Sequence, residues 1–209
     1  MYLLLIIVNV VMSLKGFKDP DFFNKCSFHP YGVLKRGEYY RIITSSFLHV
    51  DPGHLIFNMI TLFFFGRLLE RAAGIPIFLL IYFGSMASGD FLSLWLHRHQ
   101  IEYRAVGASG AVCGIIFSTI VLFPSISIFI MFIPIPVPGW IYAIFFIWYS
   151  SFGIRRQIGN IGHDAHLGGA IAGLVLATLI FPSVVFAHYA VTLGLLALAV
   201  VALVVTLSR

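Results

Sequence analysis

An all-α bundle embedded in a lipid bilayer is the fold class this sequence predicts, and three observations predict it. Of 209 residues, 60% are hydrophobic and 10% are charged, whereas soluble domains run nearer half apolar and a quarter charged. The mean hydropathy is +0.99. The apolar residues fall into runs separated by short polar connections, and at about 20 residues per spanning helix the chain has room for six or seven. These figures exclude a soluble globular domain, a disordered chain and a collagen-like repeat. Two cysteines among 21 phenylalanines exclude a disulfide scaffold as well. Cys26 lies in a polar loop and Cys113 in an apolar segment, so both are read as free thiols, which leaves the redox compartment open. The excess of 13 Lys+Arg over 8 Asp+Glu calls for no nucleic acid, because basic residues at the interface are ordinary in membrane proteins.

The first run, Tyr2 to Leu14, has no basic residues ahead of it and no small-residue cleavage site. It is therefore expected to be a retained helix and not a signal peptide. Lys15 to Ser46 is the longest polar stretch, and at that length it should contain short helices of its own. The second span starts at Asp51-Pro52, a capping residue followed by a proline suited to the first helical position, and lasts to about Leu69. Gly74-Ile75-Pro76 punctuates, and the third span runs from about Pro76 to Leu96. Gly107-Ala108-Ser109-Gly110 opens the fourth, which ends near Phe123. Pro134, Pro136 and Pro138 alternate, which an extended segment absorbs and a helix does not. The fifth span is expected from Trp140 to Gly153, the sixth from Gly162 to Phe181 before Pro182, and a featureless seventh from Val184 to Leu207.

Polar residues carry the information in such a chain, since ionisable groups in lipid are expensive and usually functional. Three groups stand out: His49…His54…Asn58, Gly107-Ala108-Ser109-Gly110 and His163-Asp164-Ala165-His166. They open the second, fourth and sixth spans. Even-numbered spans of a serpentine chain start on the same membrane face, so the three groups share a depth. Ser109 sits beside first-turn amides that have no intrahelical acceptor, which is a nucleophile next to part of an oxyanion hole. A plain N-cap is the alternative reading. About 15 residues, or roughly 22 Å of helix, separate Ser109 from Phe123. With Phe123 and Pro124 at the opposite interface, Ser109 is expected roughly 8–10 Å below the near surface of a core about 30 Å thick, where hydrolysis needs a water-filled cavity.

Below His166 on one helical face come Gly169, Ala170, Gly173 and Ala177, and the fourth span carries Gly110 and Gly114 at matching spacing. Such small-residue faces let two helices approach backbone to backbone, which would bring His166 to Ser109 as a general base. An interfacial histidine bonded to a carbonyl is the alternative. Asp164 is about 200° around the helix from His166, so the sequence reads as a dyad with Asp164 capping the sixth span. His54 and Asn58 are spaced i, i+4 and are candidate oxyanion donors, with helix-to-helix hydrogen bonding as the alternative. His49 does not share that face and is read as structural. No HExxH occurs, so a zinc protease of that type is not indicated. The histidines 49, 54, 163 and 166 could serve a metal transporter, but only the last two are close in sequence and no carboxylate joins them on the inward face.

His54-x-x-x-Asn58, Gly107-x-Ser109-Gly110-x-x-x-Gly114 and Ala165-His166-x-x-Gly169-x-x-x-Gly173 resemble, in order and on corresponding helices, the signature of the rhomboid intramembrane serine proteases. The similarity covers about residues 1–182. Tyr40-Arg41 resembles the Trp-Arg motif of the family's first loop, and Glu70 falls where the family often has an acidic residue. The resemblance implies a six-helix protease core over residues 1–182 with an additional C-terminal helix over 183–209. It also implies a Ser109 nucleophile, a His166 base, and an oxyanion hole formed by the Ser109 amide, His54 and Asn58. The implied partners are a lipid bilayer and membrane-protein substrates with a transmembrane segment, with no cofactor, metal or nucleic acid. A non-proteolytic rhomboid-fold protein that binds transmembrane helices is the rival reading, and it has no need of all four polar residues. Many bacterial members carry a Tyr four residues after the serine, stacked on the histidine, where this chain has Cys113. The orientation is contested. The loops on the site's face carry ten Lys and Arg against Arg67 and Arg71 opposite, which positive-inside would turn toward the cytoplasm. The resemblance implies a multi-pass protein of the cell membrane that opens to the extracytoplasmic side, and this is the expectation retained.

Overall fold

The computed structural model describes residues 1–129, 135–159 and 161–208. Helix α1 (Tyr2–Lys18) runs past its expected end at Leu14. Gly16 keeps the extra turn packed, since its face lies against Leu48 and Phe23. The helix stops at Asp19, which leaves helical geometry ahead of Pro20 and accepts the Phe22 N–H at 2.9 Å. The long polar stretch holds the anticipated short helices: α2 (Pro20–Cys26), α3 (Pro30–Arg36), α4 (Tyr40–Thr44) and a 3₁₀ turn at Ser45–Phe47. They close around the buried Arg41, whose guanidinium donates to Glu38, to the Asn24 carbonyl at 2.8 Å and to the Ser27 carbonyl at 2.9 Å. The Arg41 hydrogen bond holds the Glu38 carboxyl below the usual carboxylate range.

Helix α5 (Pro52–Thr61) starts as expected, with Asp51 accepting the His54 N–H at 2.8 Å. The helix reaches Leu69 as expected, by way of a π turn. That turn, Leu62–Gly66, precedes α6 (Arg67–His97), which is two helical stretches parted where Gly74 (φ 79, ψ 165) leaves helical geometry, the break expected at Gly74-Ile75-Pro76. Only glycine adopts that backbone cheaply. Helix α7 (Ser109–Leu122) is buried on all sides from Gly110 to Val121, which makes it the central post of the bundle. Strands β1 (Ser127–Phe129) and β2 (Pro136–Pro138) form an antiparallel pair with Ile128 opposite Val137. Pro136 and Pro138 are thus extended as anticipated, while Pro134 lies outside the described residues.

Helix α8 (Gly139–Arg156) continues beyond the expected stop at Gly153. That glycine lies against the His163 ring and does not end the helix; the left-handed Gln157 does. Helix α9 (His163–Ile180) is followed by α10 (Pro182–Ala187) and α11 (Tyr189–Leu207), so the expected last helix is broken at His188. Arg209 lies outside the described residues. Cys26 and Cys113 are both buried free thiols.

Helices α6, α7 and α9 form the core, and glycines set their separation. A Cβ on Gly169 would collide with the Gly110 carbonyl, and one on Gly173 with the Gly114 carbonyl. Two serines tie the same seams, Ser118 to the Gly173 carbonyl at 2.8 Å and Ser88 to the Gly168 carbonyl at 3.0 Å. The 52–97, 163–180 and 189–207 stretches are long and apolar enough to cross a membrane, and Ser109–Leu122 is a shorter apolar helix. The predicted class, an all-α membrane protein, is the class observed.

Candidate active site

Ser109 is the first residue of α7, after Ala108 at the N-cap. Gly107 precedes them at φ 140, and a Cβ there would stand 2.8 Å from Cε1 of His54. Only glycine both takes that backbone and admits the imidazole. The first-turn amides of α7 have no acceptor four residues back, so N–H groups and the positive end of the helix dipole gather around the hydroxyl.

His166 lies in the first turn of α9, its N–H bonded to the Gly162 carbonyl at 3.0 Å. Its Nε2 stands 2.7 Å from Ser109 Oγ. Accepting the serine proton at Nε2 requires the neutral ring to carry its own proton on Nδ1. The pair meets because Gly110, one residue into α7, lies against the backbone of Ala165. The small-residue faces noted in the sequence thus bring the hydroxyl and the imidazole together.

His54 and Asn58 sit one turn apart on α5 and line, with Ser109 and His166, a cavity of about 950 Å³. Asn58 donates one amide hydrogen to the His54 carbonyl at 3.0 Å, which leaves its second for another acceptor. His49 is fully buried, with Nδ1 2.9 Å from Ser13 Oγ and its ring edge-on to His54 at 4.9 Å. It backs His54, a structural placement. His163 donates from Nε2 to the Ile158 carbonyl at 3.1 Å and packs against Tyr149.

Asp164 is a correction. The N-cap of α9 is Gly162 and makes no side-chain cap bond. The carboxylate turns instead to Nε2 of His97 at 2.9 Å and accepts from the Tyr103 hydroxyl at 3.3 Å. His97 and Tyr103 stack at 3.6 Å. A further carboxyl, Asp90, accepts from Ser46 at 3.4 Å. Asp90, an ionisable residue inside an apolar run, is the sequence signal for a polar network here. The Asp164 pairing had no local signal, because its partner comes from another helix. Glu70 accepts the Tyr2 N–H at 2.7 Å and ties α6 to α1.

Comparison with known proteins adds what geometry alone does not. The family described as Rhomboid domain matches residues 36–183. The chain belongs to the rhomboid family. It is 33% identical over 157 residues to RHOMBOID-like protein 12, mitochondrial, of Arabidopsis thaliana, covering 68% of this chain and 46% of that protein. It is 33% identical over 137 residues to Rhomboid protein 1, mitochondrial, of Saccharomyces cerevisiae, covering 64% and 40%. It is 30% identical over 145 residues to Rhomboid protease GluP of Bacillus subtilis, covering 69% and 27%. The chain thus spans less than half the length of these rhomboid relatives. The matched segment holds every member of the constellation around Ser109, while the whole of α1 and of α11 falls outside it.

Proposed function

We propose that this rhomboid is an intramembrane serine endopeptidase that hydrolyses peptide bonds in or next to transmembrane helices through a Ser109–His166 dyad. One observation carries the reading: His166 Nε2 lies 2.7 Å from Ser109 Oγ at a cavity large enough for water and a peptide segment. Ser109 Oγ attacks the scissile carbonyl while His166 takes its proton. The Ser109 N–H, His54 and Asn58 receive the charge on the carbonyl oxygen. His166 then returns the proton to the leaving amine, and water hydrolyses the acyl-enzyme by the reverse sequence. Gly107, Gly110, Gly114, Gly169 and Gly173 hold the helices close enough for these contacts.

In this reading residues 1–182 form a six-span core and 183–209 add a seventh span. The protein lies in the cell membrane with the cavity open to the extracytoplasmic side. Support for that orientation comes from the first loop, a folded unit around Arg41 and not a plain tether whose charge is counted by positive-inside. The partners are the bilayer and proteins with a transmembrane segment.

The test is cleavage of a single-span test substrate together with labelling by a serine-directed fluorophosphonate. Wild type should cleave and label, and Ser109→Ala and His166→Ala should do neither. Asp164→Asn should keep turnover within a few-fold, whereas a fall of about 10⁴ would make Asp164 an orienting carboxylate and the site a triad. Cleavage by Ser109→Ala as well as wild type, or no cleavage by wild type across several substrates, would sink the protease reading in favour of a transmembrane-helix binding protein.

A further inference from the structure

The Ser109–His166 contact leaves one question of geometry. His166 is held at Nε2 by Ser109, while Asp164, the nearest carboxylate in sequence, is turned to His97. Among the described residues no side chain accepts from Nδ1 of His166. An imidazole held by a single hydrogen bond still rotates about its Cβ–Cγ bond, so packing against its face must fix the ring.

The His163 ring of the same helix stands nearly perpendicular to that of His166 at 6.4 Å, and the ring inclined toward its face comes from α8. The Phe146 ring stands 6.1 Å from the His166 ring, centroid to centroid, with the planes inclined at 32°, inside the range of an attractive aromatic pair. Phe146 is itself braced, edge-on by Phe117 of α7 at 5.5 Å and by Tyr142 one turn earlier at 5.7 Å. Space for this arrangement is left on α7. One turn after Ser109 stands Cys113, a small, buried residue lining the same cavity as Tyr142 and Phe146.

We propose that Phe146 is the positioning residue for His166, holding the imidazole in line with Ser109 from a helix that carries neither. The proposal rests on the dyad reading above. It makes alignment of the base depend on where α8 sits, since moving that helix takes the ring away from the imidazole. The outward side chains of α8, among them Phe145 and Trp148, have no such role.

The experiment measures kcat and KM of the full chain on a single-span substrate, with fluorophosphonate labelling alongside. Phe146→Leu keeps a branched apolar side chain and removes the ring, and Phe146→Tyr keeps the ring. Phe146→Leu and Phe146→Ala should each lower kcat by about tenfold with KM little changed. Phe146→Tyr should stay near wild type, and so should the control Phe145→Ala. Cys113→Tyr in the Phe146→Ala background supplies a ring from α7 and should raise kcat back toward wild type. Wild-type kcat in Phe146→Leu, a loss confined to KM, or a double variant no better than Phe146→Ala would overturn the proposal. These results are distinct from failure of the dyad reading, in which wild type itself neither cleaves nor labels.

Discussion

Asn58 donates one amide hydrogen to the carbonyl of His54 and keeps the other for the cavity it lines. If that second hydrogen meets the developing oxyanion, its worth appears mainly in the transition state. Asn58→Ala should therefore lower kcat by about 10²–10³ with KM little changed. The melting temperature should barely move, because a single polar contact between membrane helices averages about 0.6 kcal/mol. The same preparation measured for both quantities decides the matter, and an unstable but fully active variant would return Asn58 to a packing role. The i, i+4 spacing of His54 and Asn58 was readable in sequence because a helix puts such residues on one face. The partner of Asp164 was not, because a contact between α9 and the end of α6 depends on how two helices dock.

At the scale of elements, α7 and α9 meet through bare backbone. A methyl at Gly169 or Gly173 meets a carbonyl of the facing helix, and a carbonyl in a helix cannot yield as a side-chain tip does. Each Gly→Ala change should cost about 1–3 kcal/mol of stability, read as a lower thermal midpoint in detergent. Gly169→Ala, packed on Gly110 beside the nucleophile, should also abolish fluorophosphonate labelling by parting His166 from Ser109. Gly194→Ala on α11, where nothing lies within 4 Å, serves as the control and should change neither. Helix starts were legible from Asp51-Pro52 and from Gly107 because caps and backbone restrictions are local. Ends were less so. The extension of α1 rests on Gly16 packing against Leu48, and the π turn at Leu62–Gly66 hides in buried positions 55, 59, 62, 66 and 69, whose spacing reads as an ordinary helix.

At the scale of the whole molecule, α11 packs along α8, with Ser151 and Thr206 in hydrogen-bond contact at 3.4 Å. If residues 1–182 are a self-sufficient core, the chain truncated after Pro182 should still label at Ser109 with a lower thermal midpoint. Complete loss of labelling would make the last helix part of the core. The orientation is testable from outside: Tyr39, 68% exposed on the first loop, changed to Cys should react with an impermeant maleimide in intact cells. Protection until the cells are lysed would place the cavity mouth in the cytoplasm.

Some of this protein was determined by sequence alone, because the forces involved are local or averaged over many residues. Apolar content and run length dictate a helical membrane protein, since a backbone in lipid must satisfy its own hydrogen bonds. Small residues every fourth position on two runs dictate which helices come closest, and the polar openings of the even-numbered runs dictate which residues share a depth. Tertiary structure decided what depends on docking at the ångström level. It turned Asp164 to His97, set His49 behind His54, and brought Phe146 of α8 against the histidine whose Nε2 meets Ser109. Such contacts join residues far apart in the chain, and a shift of one helix by a few ångströms would undo each of them without altering any pattern in the sequence.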